Sequence, residues 1–328
     1  MRKKKSRLEA YSATALLGLC MGILAVYLAH THIATFVQKQ EQSAAVFFKP
    51  GSSVADLQRK YDRAVKTKKA VRILLVPGHE PFYGGAEYRN LKEREMALEL
   101  SAHLAKLLEA NRRYDTFTSR NSDGWDSAML AYFADNWESI GTFAQKQKVE
   151  TAKHIGTGAL VKHDPAMIHN AAPSDVGLRL YGIHKWANEN DIDLSIHIHF
   201  NDHPRKNATS PGKYTGFTLY IPDPQYSNGK TARAVAERIF ARLSQTYSPS
   251  DMPKEAPGIV ESQDLIAVGS YNTSDAPSIL VEYAYIYEAQ LQDEATRSLV
   301  LQDMALQTYE GLQDFFENRN KHLVQKTR

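Results

Sequence analysis

The run Val71-Arg72-Ile73-Leu74-Leu75-Val76 is apolar at every position but one and stops abruptly at Pro77-Gly78-His79. A strand this uniformly apolar must be covered on both faces, which is the condition of a strand inside a doubly covered, mostly parallel sheet. The Pro77-Gly78 turn exposes a histidine at the strand's end. A loop carrying Gly84 and Gly85 comes next, and Leu91-Lys92-Glu93-Arg94-Glu95 opens a helix. A strand-end histidine and a helix-start carboxylate can meet across one strand-helix turn. With a second histidine ending a later strand they would make a zinc site, because catalytic zinc takes three protein donors and leaves one position open. This chain supplies that second histidine at His199.

The rest of the chain keeps an alternating rhythm. Leu91 to Asn111, Val176 to Asn190, Ala232 to Tyr247 and Glu294 to Phe316 read as helices. Asp115 to Thr118, Ile192 to Phe200, Tyr214 to Ile221 and Ser278 to Tyr283 read as strands. The expected fold class is α/β, a mostly parallel twisted sheet with helices on both faces, and ligands in such sheets gather at the C-terminal strand edge. His79, His199 and Glu282 all fall near strand ends. The rhythm breaks from about residue 121 to 175, where a helical piece around Trp137 to Gln147 and a tail through Pro165 and Pro173 read as an insertion on the domain.

The N-terminal end carries a different signal. Arg2, Lys3, Lys4, Lys5 and Arg7 precede an uncharged, largely apolar run from Ala10 to Ala29. About 20 apolar residues span a bilayer's hydrocarbon core, and the basic cluster sends the chain beyond that run to the far face. The expected organisation is a basic cytoplasmic end over 1–9, a transmembrane signal-anchor over 10–30, a stalk and lead-in helix over 31–70, and a catalytic domain over 71–320. That places a single-pass protein in the cell membrane with its domain on the extracytoplasmic side; a cleaved signal peptide is the alternative. The single cysteine, Cys20, lies in the apolar run, so the exported part has no disulfide and relies on packing. Net charge is +3 with scattered or terminal basic residues, which excludes a nucleic-acid footprint.

Glu93 stands in a first helical turn, where the helix dipole favours an ionised carboxylate; Glu87 and Glu95 are its rivals. Along Ile192 to Phe200, His197 and His199 share a face, and His199, nearer the strand's end, is better placed for an open metal position. His197 lies deeper, as a supporting or packing histidine. Asn201 just beyond can hydrogen-bond a ligand or substrate. Glu282 ends the apolar Ser278-Ile279-Leu280-Val281 run, where a carboxylate is costly unless paired or put to use. It is either a general base beside an activated water or half of a buried salt bridge.

From Val71 to Phe316 the chain resembles the zinc-dependent N-acetylmuramoyl-L-alanine amidases of bacterial cell-wall turnover, the Amidase_3 family. Five blocks carry the likeness: Ile73 to His79; Leu91 to Glu95 with Leu98, Ser101, Leu104 and Leu108; Thr118 to Arg120 with Asp123; Ala187-Asn188 with Asp193 to Asn201; and Pro277 to Tyr285. The resemblance implies one zinc ion held by His79, Glu93 and His199, and Glu282 as catalytic base. It implies peptidoglycan as substrate, cut between the muramic acid lactyl group and L-alanine.

The chain also departs from that pattern. Glu80 stands where a glycine usually comes after the first histidine, His197 replaces a serine, and Ala284 to Glu288 differs from the usual Gly-Phe-x-x-Asn. Glu80 would alter substrate fit or compete for the metal. In relatives a long insertion can carry a helix that plugs the site until a protein activator withdraws it, and Glu138 and Glu150 are the candidates for that role here. His154, His163 and His169 read as surface residues. Two other functions stay open: a wall-binding or regulatory module of this fold without turnover, and a zinc peptidase or deacylase acting on another amide.

Overall fold

The computed structural model describes residues 52–165 and 172–317. The expected transmembrane run, Cys20 and His169 lie outside the described residues. Among the described residues no helix is long and apolar enough to cross a membrane.

A six-stranded sheet forms the centre of the fold. β1 (Val71–Pro77) lies between β4 (Tyr114–Thr118) and β7 (Leu194–Asn201), and β10 (Ser278–Tyr285), β8 (Thr218–Pro222) and β9 (Ile259–Ser262) come next in that order. β4, β1, β7 and β10 run parallel. β8 runs antiparallel to β10 and carries β9 parallel to itself. The expectation of a mostly parallel sheet therefore holds for its four central and left-hand strands, and the reversal is confined to one edge. Two short hairpins complete the strand inventory, β2 (Glu87–Tyr88) with β3 (Leu91–Lys92) and β5 (Arg120–Asn121) with β6 (Gly124–Trp125).

Alternation along the strands assigns the two faces. Ile73, Leu75, Leu194, Ile196, Ile198, Ile279 and Val281 point into one core, shared with α2 (Glu93–Glu109), α5 (Gly229–Leu243) and α6 (Glu294–Phe316). Leu74 and Val76 point into the other, shared with α3 (Ser127–Gly156) and α4 (Ser174–Glu189). Burying each such side chain contributes about 1.5–3 kcal/mol, so the sheet is held from both sides.

Two segments outside the alternating strands and helices take definite form. The lead-in helix is α1 (Val54–Thr67), fixed by a Ser53–Asp56 capping box; it buries Leu57, Tyr61 and Ala64 along one face, the first two in the first core. Tyr61 stacks on Phe316 at 5.1 Å and its hydroxyl donates to Gln313, so the folded unit begins before Val71. The insertion, for its part, is one 30-residue helix rather than a short piece near Trp137. Asp126 caps it by accepting from Ala128 N–H. Its Met129, Phe133, Ile140 and Ala144 pack on Tyr181, Ile183 and Trp186 and complete the second core. Polar intervals between those apolar positions hide its length in the sequence.

Beyond α3 the chain crosses to the β8–β9 end of the sheet. Leu160 packs on Tyr226, Val161 exchanges hydrogen bonds with Gln225, and His163 pairs with Asp223 at 2.7 Å. His163 is thus a surface residue with a fixed partner, whereas His154, expected at the surface, is buried on the inner side of α3.

Candidate metal centre

His79, Glu93 and His199 converge at the C-terminal edge of the sheet, with one ligand atom from each within 4.8 Å of the others. Different local chemistry brings each of them there. His79 leaves β1 in the left-handed region, φ 68°, a conformation that histidine tolerates better than most residues but that still costs on the order of 1–3 kcal/mol. Its ring is held by the backbone of Gly85, where a Cβ would come within 2.7 Å of Cδ2. Gly78 is just as constrained, since a Cβ there would lie 2.5 Å from the His199 ring.

Glu93 is the first residue of α2, and its helix start is tied to the preceding loop twice. Its N–H donates to the Ala86 carbonyl at 2.9 Å, and its Oε2 accepts from Ala86 N–H at 2.8 Å. Oε1 accepts from Phe200 N–H at 3.1 Å and stands 2.9 Å from His199 Nδ1. The rivals are excluded by their own partners: Glu87 pairs with Arg94 and Glu95 with Lys92, both on the surface. Burial pushes the Glu93 carboxyl up, but His199 and His79 beside it outweigh that and hold it well below the usual carboxylate range. Burial likewise pulls the His199 ring below the ordinary histidine value, against the opposing pull of Glu93. An ionised carboxylate beside a neutral imidazole is the protonation state in which these groups bind a metal.

The donor set also fits zinc on one further observation. His79 Nε2 lies 2.8 Å from Glu93 Oε2 but is buried and makes no well-directed hydrogen bond, so the approach of nitrogen to carboxylate is one that a shared cation would satisfy. Two nitrogens and a carboxylate oxygen this close together are a zinc-type donor set.

Glu282 on β10 is the register partner of His199 on β7, which puts both side chains on the same face of adjacent strands. Its Oε2 is buried and unpaired. Burial, reinforced by the negative charges of Glu93 and Glu255, pushes the carboxyl well above its usual range. The salt-bridge alternative for Glu282 is absent, because among the described residues it has no cationic partner.

The remaining expected residues lie around this centre with roles of their own. His197 is fully buried, neither ring nitrogen has a partner, and burial with His184 and His199 nearby holds it well below the ordinary histidine range. It packs 5.8 Å from the His184 ring and is a core residue beneath the site. Asn201 does not face outward to substrate: its Nδ2 donates to Glu255 at 2.8 Å and its Oδ1 accepts from Asp202 N–H. Glu80 turns to Arg179 at 2.8 Å and is not part of the metal-competent group. Glu138 and Glu150 do not join the metal-competent group.

Two important residues escape a reading of the sequence. Arg120 stands there only as part of a motif; in the fold it is fully buried and donates to backbone carbonyls. It donates to the carbonyls of Pro77 and Gly78, just before His79, and of Arg94, just after Glu93. One guanidinium therefore ties together the two segments that carry metal ligands. Glu255, in the polar stretch Pro253-Lys254-Glu255-Ala256-Pro257, is also fully buried and accepts from Asn201, Tyr220, Ser250 and Tyr285, which joins the ends of β7, β8 and β10.

The sequence profile of the Amidase_3 family, N-acetylmuramoyl-L-alanine amidase, matches residues 139–314, more than half of the chain. The chain belongs to this amidase family. The matched span contains His199 and Glu282, whereas the His79 and Glu93 blocks precede it and rest on the geometry above. Several solved amidases are similar in structure. The CwlD amidase of Clostridioides difficile, solved in complex with the GerS lipoprotein, has a TM-score of 0.49 at 14% identity over 75% of this chain and 98% of its own. Ami1 of Mycobacterium smegmatis gives 0.49 at 15% over 76% and 97%. The CwlV catalytic domain from Bacillus (Paenibacillus) polymyxa gives 0.45 at 15% over 75% and 98%. No curated protein matches the chain.

Proposed function

We propose that this amidase is a zinc enzyme that hydrolyses the amide between N-acetylmuramic acid and L-alanine in peptidoglycan, with His79, Glu93 and His199 as metal ligands and Glu282 as general base. The observation that carries the reading is the convergence of those three donors, with the Glu282 carboxylate, its Oε2 buried and unpaired, in register beside one of them. Zinc, when bound, supplies Lewis acidity toward the scissile carbonyl and acidifies water. The protein's own part is proton handling and alignment. Glu282 takes the proton of the attacking water and returns it to the departing L-alanine amine. A carboxyl whose affinity for protons is raised by burial suits both halves of that exchange. Phe200 N–H and Ala86 N–H hold the two oxygens of Glu93, and Arg120 fixes the loops on either side, so the ligands are preorganised.

The enzyme is further proposed to act outside the cytoplasm, anchored by residues 10–30. The support is the basic cluster followed by the apolar run. The chemistry is tested by metal analysis of the purified protein together with mass analysis of fragments released from cell walls. Fragments with a free L-alanine amino terminus and one zinc per chain are expected; release of any other new terminus contradicts the assignment. Membrane fractionation and protease accessibility of the full chain in intact cells test the location.

A further inference from the structure

Three large aromatic side chains are exposed among the described residues: Phe82 at 72%, Tyr83 at 50% and Trp137 at 36%. A single exposed apolar residue needs no explanation, but a cluster at one place does. Phe82 and Tyr83 come from the loop after β1, three and four residues beyond His79, and Trp137 comes from α3, where Arg179 joins it to Tyr83. The loop folds back so that Gly84 and Gly85 lie on the His79 ring, which leaves Phe82 and Tyr83 one or two residues from backbone that touches a metal ligand. Phe82 leans over the β5–β6 turn, 3.7 Å from where a Gly124 Cβ would stand. Tyr83 accepts a hydrogen bond from Arg179 at 3.0 Å, and the same guanidinium lies 5.9 Å over the Trp137 ring. Arg179 is itself anchored by Glu80, the neighbour of His79. Tyr83 and Trp137 are therefore joined through one guanidinium, and all three aromatic residues stay exposed.

Resting on the proposed muramoyl-amidase activity, we propose that Phe82, Tyr83 and Trp137 form a carbohydrate subsite that seats the glycan strand of peptidoglycan beside the metal centre. The covalent structure of the substrate requires a sugar close by: the scissile carbonyl belongs to a lactyl group that is ether-linked to the muramic ring. With the amide at His79, Glu93 and His199, that ring lies only a few bonds away. A hexopyranose presents a face of C–H groups, slightly positive and apolar, with hydroxyls around its rim. That face matches the electron-rich face of an aromatic ring, and Arg179 and Asp175 border the platform with groups able to bond the hydroxyl rim. Tyr83, already hydrogen-bonded to Arg179, loses less freedom on binding than an untethered ring would, so its contact area is converted more efficiently into affinity.

The test uses the full-length, zinc-loaded chain in detergent, with Glu282→Gln to prevent cleavage, and titrates peptide-free glycan strands and free stem peptide separately by calorimetry. Combined Phe82→Ser, Tyr83→Ser and Trp137→Ser is expected to weaken glycan binding at least tenfold, with zinc affinity and stem-peptide binding unchanged. Glycan binding within twofold of the unsubstituted rings, or a loss confined to the stem peptide, overturns the subsite. If the triple variant does not fold, Phe82→Ser alone decides, with a threefold or greater loss expected. A failure of the amidase reading is seen separately: the chain with Glu282 intact would then release no L-alanine-terminated peptides from cell walls, whatever its glycan affinity.

Discussion

Glu282 and His199 stand side by side on neighbouring parallel strands, paired in register on one face of the sheet. A rigid ladder, not a loop, thus sets the spacing between the expected base and one expected metal ligand. Glu282→Gln keeps the shape and removes the base. Activity on purified cell walls should fall by three orders of magnitude or more, while bound zinc stays near one per chain; the paired measurement is turnover against metal content. Normal turnover by Glu282→Gln would remove this residue from the chemistry.

Gly78→Ala probes the close approach of strand end and ligand. Its backbone is open to alanine, but the added methyl would meet the His199 ring at 2.5 Å. The ring must move. Zinc affinity, measured by chelator competition, should drop at least tenfold, about 1.4 kcal/mol, with the circular dichroism of the metal-free protein unchanged.

Arg120→Lys keeps the charge but replaces a three-way fork with one ammonium, which cannot reach the carbonyls of Pro77, Gly78 and Arg94 together. Burial pulls the Arg120 guanidinium down to about 10, with the carboxylates of Glu80 and Glu93 opposing that pull, so it remains charged at neutral pH. The expected outcome is a tenfold or larger loss of zinc affinity in a protein that still folds. Equal affinity in wild type and variant would mean that the fork does not set the ligand geometry.

His184 gives the fold a defined acid sensitivity. Burial lowers its pKa from 6.5 to about 4, with the Ile266 carbonyl at 2.7 Å offsetting part of that burial effect. The folded state therefore prefers the neutral ring. Stability is fully present above about pH 6.5 and is lost as pH falls toward 4, by on the order of 3 kcal/mol from this group. Chemical denaturation of the metal-free protein between pH 7 and 4 measures that slope, and His184→Gln should flatten it.

The legible part of the site is the part written into strand ends. A hydrophobic run closed by His79, an alternating strand that sorts His197 from His199, and a carboxylate ending another apolar run each leave a one-dimensional trace. Arg120 leaves no comparable trace, because its partners are backbone carbonyls that every residue possesses. Glu255 is hidden for the opposite reason: Lys254 and the flanking prolines read as a wet loop, and only the folded chain brings four donors around it. Asn201 is legible by position but not by role, since its amide is spent inside the protein on Glu255. The length of α3 is lost in its polar intervals, although its apolar positions recur at helical spacing once the facing residues on α4 are known.

The double duty of α3 restricts how such an enzyme can be controlled. A plug is useful only if lifting it leaves the remainder standing, yet this helix carries Met129, Phe133 and Ile140 into the layer that roofs the sheet. The chain after it is also moored to Gln225 and Asp223 at the far end of the sheet. Pulling the whole helix away would strip one side of the sheet and release that mooring together. Displacing the short loop that bears Phe82 and Tyr83 would instead leave α3 on the sheet and act directly on the Gly85 backbone that packs against the His79 ring.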